Sequence, residues 1–225
     1  MAEKHTGHLV LLRHGQTAWS ISGQHTGRTD IPLTFTGEDQ ARDAGIRLRR
    51  DFPQGFEPDH VFVSPLQRAQ STARLAGFGN YHVTSQLAEW DYGPAEGRTR
   101  AQIADALGQQ KWSVWDQGPL DLPADFQGEH NEMLPDGDVV HVVNGRGESA
   151  DEAADRVSGL IDEVLPILYD GSDVLCVAHA HILRILTSVW VKQPANFARH
   201  LELATAHYCA LGLYNGERVI ESWNM

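Results

Sequence analysis

Residues 8–17 read HLVLLRHGQT, and this stretch decides the fold. Four apolar residues in succession, Leu9 to Leu12, predict a short strand that is buried on both faces, as in a parallel sheet. The strand is followed at once by Arg13, His14 and Gly15. Ligands bind at the carboxyl ends of strands in open parallel sheets, so these three residues are the first candidates for a functional site.

Further apolar runs extend this sheet. Residues 60–63 and 173–178 predict two more buried strands, and weaker candidates lie at 81–84, 207–214 and 218–223. Asn215-Gly216, between the last two, is a strong hairpin signal. The chain is therefore expected to add antiparallel strands to a mostly parallel sheet.

Helices are predicted between the strands. Ser64-Pro65-Leu66-Gln67 and Ser149-Ala150-Asp151-Glu152 have the form of capping boxes, each opening a helix. A further helix is predicted over residues 36–50, and another directly after His179. Strands that alternate with helices indicate an α/β fold with three layers, helices covering both faces of the central sheet.

One segment breaks this alternation. Residues 116–149 carry eight acidic side chains against the single base Arg146, a net charge of −7. Pro135-Asp136-Gly137 followed by Val139 to Val143 predicts a small hairpin within it. We interpret residues 1–225 as a single domain with a cap-like insertion at about 116–148.

Composition excludes several classes of function. The 225 residues carry a net charge of −12, which argues against nucleic acid or an anionic membrane as the main partner. No apolar run approaches the roughly 18 residues of a membrane helix. Met1 to Gly7 lack the form of a signal peptide, and two cysteines are too few for a disulfide scaffold, so a cytoplasmic location is predicted. An anionic substrate would need a local basic pocket.

Charged and polar side chains follow the predicted strands at one edge of the sheet. Arginines match phosphate oxygens in pairs, a neutral histidine is a competent nucleophile toward phosphorus, and a glutamate can protonate the leaving oxygen. Two arginines and a second, protonated histidine would then stand in for a metal ion in phosphoryl transfer. The residues concerned are Arg13, His14, Arg68, Glu89 and His179.

Two other interpretations of these residues stay open from their types alone. His179 and His181 form a His-x-His pair that suits a metal, although no third or fourth ligand stands out. A non-catalytic protein that binds a phosphorylated ligand would also use such arginines and histidines. Cys176 and Cys209 lie in predicted strands and are expected to behave as small core hydrophobes.

The chain resembles the histidine phosphatase superfamily, also called the phosphoglycerate-mutase-like family. Arg13-His14-Gly15 is the first of several matching blocks, which occur in family order over residues 8–190. The others are Gly23 to Thr34, Ser64-Pro65 with Arg68-Ala69, Glu89 to Gly93 with Glu96-Gly97, Gly147-Glu148-Ser149, and Ala178 to His181.

The resemblance implies a role for each matching residue. His14 would become phosphohistidine; Arg13, Arg68 and His179 would grip the phosphoryl group; and Glu89 would act as general acid and later as base. Ser20, Thr26 and Gly27 match positions that line the phosphate and substrate site. No metal and no cofactor is expected.

The resemblance also suggests what the protein acts on. The blocks look most like the family's acid phosphatases and sugar-bisphosphatases, so a small phosphorylated metabolite, a sugar phosphate or bisphosphate, is the expected partner. A cofactor-dependent phosphoglycerate mutase is the alternative. The oligomeric state stays open, and a homodimer is one of the assemblies allowed. Ala180 replaces the family's usual glycine, and the acidic insertion exceeds the usual length.

Overall fold

The computed structural model describes residues 6–225. Residues 1–5, part of the polar start on which the cytoplasmic prediction rests, lie outside the described residues. The strands are β1 (Leu9–Arg13), β2 (Val61–Val63), β3 (His82–Val83), β4 (Gly128–Met133), β5 (Val139–Asn144), β6 (Val174–Ala178), β7 (Tyr208–Tyr214) and β8 (Glu217–Ser222). The α-helices are α1 (Ala18–Ser22), α2 (Phe35–Asp51), α3 (Gln67–Leu75), α4 (Arg100–Ala106), α5 (Ala150–Tyr169) and α6 (Ala180–Trp190).

The main sheet has the order β3-β2-β6-β1-β7-β8. Strands β3, β2, β6 and β1 are parallel, whereas β7 pairs antiparallel with β1, and β8 with β7. The predicted α/β fold with a mostly parallel sheet is therefore confirmed, including the hairpin at Asn215-Gly216. Because β1 lies between β6 and β7, the residues that follow it are held from both sides.

Alternation along β1 explains why the sheet needs helices on both faces. Leu9 and Leu11 belong to a core formed with α5 and α6, while Val10 and Leu12 belong to a second core formed with α2 and α3. All four side chains are fully buried. Each such residue stabilises the fold by about 1.5–3 kcal/mol, so a continuous apolar run requires a layer on each side.

The two predicted capping boxes have different outcomes. At α5 the box is confirmed: the Glu152 amide donates to Ser149 Oγ at 3.0 Å, and Glu152 Oε2 accepts from the Ser149 amide at 2.7 Å. The box at Ser64 is wrong, because α3 begins at Gln67. Ser64 Oγ instead bonds His179 at 2.7 Å, and Asp30 Oδ1 accepts from the Gln67 amide at 2.9 Å.

The acidic segment contains the predicted hairpin. Strands β4 and β5 pair antiparallel, and the Leu134 amide donates to the Asp138 carbonyl across the turn at 2.7 Å. Glu132 Oε1 anchors the hairpin by accepting from Trp19 Nε1 at 3.0 Å and from Gln24 Nε2 at 2.9 Å. The hairpin thus packs beside α1, close to the carboxyl edge of the sheet. The single-domain interpretation of residues 1–225 stays a prediction.

Among the helices of residues 6–225, none is both long enough and apolar enough to cross a bilayer.

Candidate active site

A cavity of about 550 Å³ opens at the carboxyl edge of the parallel strands. Arg13, the last residue of β1, and His14, which follows it, line the cavity together with Glu89. Three arginines and two carboxylates face the space, although the chain as a whole has a net charge of −12. The local basic pocket that an anionic substrate requires is therefore present.

His14 is buried and held in one tautomer. Its Nδ1 lies 2.7 Å from the carbonyl oxygen of Gly15, which can only accept, so Nδ1 carries the proton and Nε2 keeps its lone pair. Burial lowers the pKa of His14 well below its ordinary value, and the charges of Arg68 and Arg13 lower it further. The ring is therefore neutral, which is the nucleophilic form.

The guanidinium of Arg13 has an N–H group at the cavity that bonds no protein acceptor. Its Nη1 donates to the Leu203 carbonyl at 2.7 Å, which orients the guanidinium. Its Nε is buried and has no protein acceptor. A buried unsatisfied donor beside an open cavity is suited to an anionic oxygen.

His179 lies beside His14, with ring centroids 5.1 Å apart. Arg68 Nε donates to its Nδ1 at 3.0 Å, and its Nε2 contacts Ser64 Oγ at 2.7 Å. Arginine can only donate, so Nδ1 must accept and the ring is neutral. Burial and the neighbouring Arg68 lower the pKa of His179 well below its ordinary value. The expectation of a protonated second histidine is wrong in this arrangement.

Arg68 is fully buried and does not line the cavity. Its remaining bonds go to backbone carbonyls, from Nη1 to Thr29 at 2.9 Å and from Nη2 to Thr26 and Gly27 at 3.0 Å each. The arginine therefore orients His179 from the interior, and neither of the two side chains lines the cavity. Its positive charge still reaches the site through a medium of low dielectric.

Glu89 is held at the N-terminus of α6. Its Oε1 accepts from the Ile182 and Trp90 amides at 2.8 and 2.9 Å, and its Oε2 from the His181 amide at 3.2 Å. Burial raises the pKa of Glu89, and these three amides oppose the rise. A carboxyl whose pKa is raised and that lines a cavity is suited to general acid chemistry.

The three predicted substrate-binding positions do not share one place. Ser20 and Thr26 line the cavity, but Gly27 does not. The Gly27 amide donates to both oxygens of Glu96, at 3.0 and 2.9 Å, and a Cβ there would lie 2.7 Å from the Trp90 carbonyl. Gly27 therefore allows the loop to pack closely behind the cavity wall.

Four further basic residues line the cavity, and of these Arg100 was not singled out from the sequence. Arg100, at the start of α4, lines the wall, as does Arg184. His25 is only 6% exposed; its Nδ1 lies 2.7 Å from the Arg98 carbonyl, and burial lowers its pKa to about 4. His181, whose Nδ1 is hydrogen-bonded by the Tyr92 hydroxyl, also lines the cavity.

The acidic insertion stays outside the cavity wall, since none of residues 116–148 lines it. The neighbouring Trp115 packs edge-on against His181, with ring centroids 4.9 Å apart. The guanidinium carbon of Arg184 lies over the Trp115 ring, 5.1 Å from its centroid. Within residues 6–225, no three His, Cys, Asp or Glu side chains are grouped to hold a metal ion.

The fold and these residues define a phosphate-handling α/β enzyme, and comparison with known proteins gives its family. The model of the histidine phosphatase superfamily (branch 1) matches residues 9–225. The chain belongs to this superfamily, and it is a phosphatase.

Several relatives cover nearly the whole chain. An acid phosphatase of Mycobacterium tuberculosis is 36% identical over 210 residues, which are 93% of this chain and 88% of that protein. The solved structure of a Mycobacterium tuberculosis open reading frame has a TM-score of 0.78 and 34% identity, covering 97% of each chain. A 2,3-bisphosphoglycerate-dependent phosphoglycerate mutase of Corynebacterium diphtheriae is 31% identical over 194 residues, 80% of this chain and 75% of that protein.

Proposed function

We propose that the protein hydrolyses a small phosphomonoester in two steps, through a phosphohistidine on His14 and without a metal ion. The observation that carries this proposal is the tautomer of His14, whose Nδ1 donates to Gly15 at 2.7 Å and leaves Nε2 nucleophilic in a ring that lines the cavity. The buried Nε of Arg13, which has no protein acceptor, supports the proposal because it can donate to an anionic oxygen.

The first step forms one bond and breaks another. His14 Nε2 attacks phosphorus, the bond from phosphorus to the leaving oxygen breaks, and Glu89 gives its proton to that oxygen, so that the alcohol departs. Arg13 binds the equatorial oxygens as their charge grows. Arg68 holds His179 in place and adds positive charge from behind.

The second step restores the enzyme. Glu89, now a carboxylate, takes a proton from water as the water oxygen attacks phosphorus. The bond between His14 Nε2 and phosphorus breaks, and inorganic phosphate leaves. His14 returns to its neutral form, with Nδ1 still bonded to the Gly15 carbonyl.

We propose a sugar phosphate, and more specifically a bisphosphate, as the substrate class. Arg100 and Arg184 line the cavity in addition to Arg13, which is more positive charge than a single phosphoryl group requires. A cavity of about 550 Å³ suits a small metabolite. The negative charge of the rest of the molecule disfavours nucleic acid. A cytoplasmic location and the oligomeric state stay predictions.

Phosphorus NMR of the purified protein in EDTA tests the proposal. Sedoheptulose 1,7-bisphosphate, fructose 1,6-bisphosphate and 3-phosphoglycerate are supplied in turn, with His14→Ala as the control. We expect free phosphate from a bisphosphate with the wild type alone. Turnover that EDTA abolishes contradicts the metal-free mechanism, and turnover by His14→Ala contradicts the phosphohistidine.

The same experiment decides the alternative that the mutase relatives raise. Interconversion of 3- and 2-phosphoglycerate that depends on added 2,3-bisphosphoglycerate would identify a mutase.

For the substrate class, we expect Arg100→Gln to raise KM for a bisphosphate more than for fructose 6-phosphate. Arg74→Gln, on an exposed face of α3, is the matched control. An equal change in KM for both substrates would contradict a role of Arg100 in binding the second phosphate group.

A further inference from the structure

Residues 202–207, here called the bracket loop, hold Arg13, the last residue of β1, and His14, which follows it. The His207 carbonyl accepts from the Arg13 amide at 3.0 Å, and the Ala206 amide donates to the His14 carbonyl at 3.0 Å. The Leu203 carbonyl accepts from Arg13 Nη1 at 2.7 Å. The loop therefore fixes the backbone of Arg13 and His14 and also the direction of one guanidinium.

The opposite side of the bracket loop is held by residues 223–225 and by α2. Asn224 Oδ1 accepts from the Ala204 amide at 2.8 Å, and Trp223 Nε1 donates to the Glu202 carbonyl. Arg47 Nη2 donates to the Ala206 carbonyl at 2.7 Å. Asn224 has a φ of 59°, a left-handed conformation that asparagine tolerates better than most residues.

One peptide group connects the two sides. The Leu203 carbonyl and the Ala204 N–H belong to the same planar peptide, and in a trans peptide they point in opposite directions. Arg13 holds one end of this rigid unit, and Asn224 holds the other. A change at Asn224 therefore turns the carbonyl that orients the guanidinium, although Asn224 does not line the cavity.

We propose that Asn224 is a positioning residue for the phosphoryl-binding arginine, acting through the Leu203–Ala204 peptide. The proposal rests on the function proposed above, in which Arg13 binds the phosphoryl oxygens. Loss of the acceptor frees the peptide to rotate, and small misplacements of a catalytic group cost up to roughly a hundredfold in rate.

The test compares three variants. Asn224→Gly removes the acceptor and tolerates the left-handed backbone. Asn224→Asp keeps an acceptor at the same distance from the backbone. Asn215→Gly is the matched control, because Asn215 has a φ of 51° in the exposed turn between β7 and β8.

We expect Asn224→Gly to lower kcat/KM roughly ten- to hundredfold and to weaken binding of orthovanadate, measured by calorimetry. Asn224→Asp and Asn215→Gly should stay within roughly threefold of the wild type. In an Arg13→Ala background, Asn224→Gly should have no further effect on vanadate affinity. An equal loss in both backgrounds, or an unchanged vanadate affinity in Asn224→Gly, would overturn the proposal.

Two controls keep the result interpretable. If Asn224→Gly melts below the assay temperature, Asn224→Ser replaces it, since its shorter side chain withdraws the acceptor while staying polar. Vanadate binding does not require turnover. A wild type that binds vanadate but releases no phosphate from any substrate would contradict the proposed function and leave the role of Asn224 testable by the same cycle.

Discussion

The backbone of Gly15 packs so closely against α2 that there is no room for a side chain. A Cβ at Gly15 would lie 2.2 Å from the Gly37 carbonyl oxygen, in the first turn of α2. The Gly15 amide also donates to Thr72 Oγ1 at 3.0 Å, which ties the same residue to α3. The glycine that follows His14 is therefore required by close backbone packing against α2.

We expect Gly15→Ala to destabilise the protein by about 1–3 kcal/mol, because the backbone must move to admit the methyl group. The rate of phosphate release should fall by more than the loss of folded protein explains, because the Gly15 carbonyl sets the tautomer of His14. Urea unfolding and phosphate release measure the two effects. Gly79→Ala, where a Cβ meets nothing within 4 Å, is the control. Unchanged unfolding of Gly15→Ala would contradict the packing argument.

In the proposed mechanism, the protonation of Glu89 sets the pH dependence of the first step. Burial raises the pKa of Glu89 and lowers that of His14. In the proposed mechanism the active form has Glu89 protonated and His14 neutral, so kcat/KM should fall as the pH rises through the raised pKa of Glu89.

We expect Glu89→Gln to lower kcat/KM by about 10²–10⁴-fold for an alkyl phosphate, whose leaving oxygen needs a proton. The loss should be much smaller for p-nitrophenyl phosphate, because nitrophenolate leaves without one. The alkaline fall of the pH profile should also disappear. Steady-state kinetics with both substrates check this, and equal losses for the two would contradict a general acid role.

The main site residues were predictable because they follow strands, whereas Arg100 was not. Arg13, His14 and Glu89 come after apolar runs or in a recognisable block, and the structure brings them to one cavity. Arg100 begins a seven-residue helix that no strand precedes, and its direction depends on how residues 93–99 fold. The Thr99 capping box, which fixes where α4 starts, is the sequence signal that could have located it.

At the scale of elements, the cap of α5 is a local signal that can be recognised from four consecutive residues. Ser149 and Glu152 each bond the other's backbone amide, so the cap bonds lie within the first turn itself. We expect Ser149→Ala to lower the free energy of unfolding by about 0.5–2 kcal/mol. Ser158→Ala, in the middle of the same helix, should change it little, because its Oγ only bonds back to the Ala154 carbonyl. Thermal and urea unfolding compare the two, and equal effects would refute the cap.

The start of α3 shows why the same reasoning fails elsewhere. Ser64 has the sequence context of an N-cap, but its hydroxyl is used by His179, which lies 115 residues away in the chain. The first-turn amide of Gln67 is satisfied by Asp30 instead. A motif of four residues cannot report such partners, so long-range contacts decide this boundary.

At the scale of the whole molecule, His8 joins three strands at the end of the sheet opposite the cavity. Its Nδ1 lies 2.8 Å from Asp173, just before β6, and its Nε2 lies 3.2 Å from Glu221 in β8. The hydrogen bond to Asp173 raises the pKa of His8 above 6.5, and the charges of both carboxylates add to the rise. Protonated His8 therefore stabilises the folded protein.

The sign of the pH effect follows. Because the folded pKa is raised, the stabilisation by His8 is complete below its unfolded pKa of 6.5 and is lost as the pH rises through the folded value. We expect the difference in unfolding free energy between wild type and His8→Gln to be larger at about pH 5.5 than at about pH 8.5. Urea titrations at both values measure it. His82→Gln, on an exposed part of β3, is the control, and a pH-independent difference for His8→Gln would contradict the linkage.

The register of the sheet also places two buried thiols where they can report when the central strands open. Cys176 in β6 and Cys209 in β7 lie opposite Leu11 from its two sides, so the only two sulfhydryl groups of the chain flank the strand that leads to His14. Both are fully buried, and burial raises the pKa of Cys209 to about 12 and that of Cys176 further. A thiol-reactive dye can modify either one only while the centre of the sheet is open. The rate of dye uptake by the unmodified protein would therefore time the opening of the strands beneath the active site.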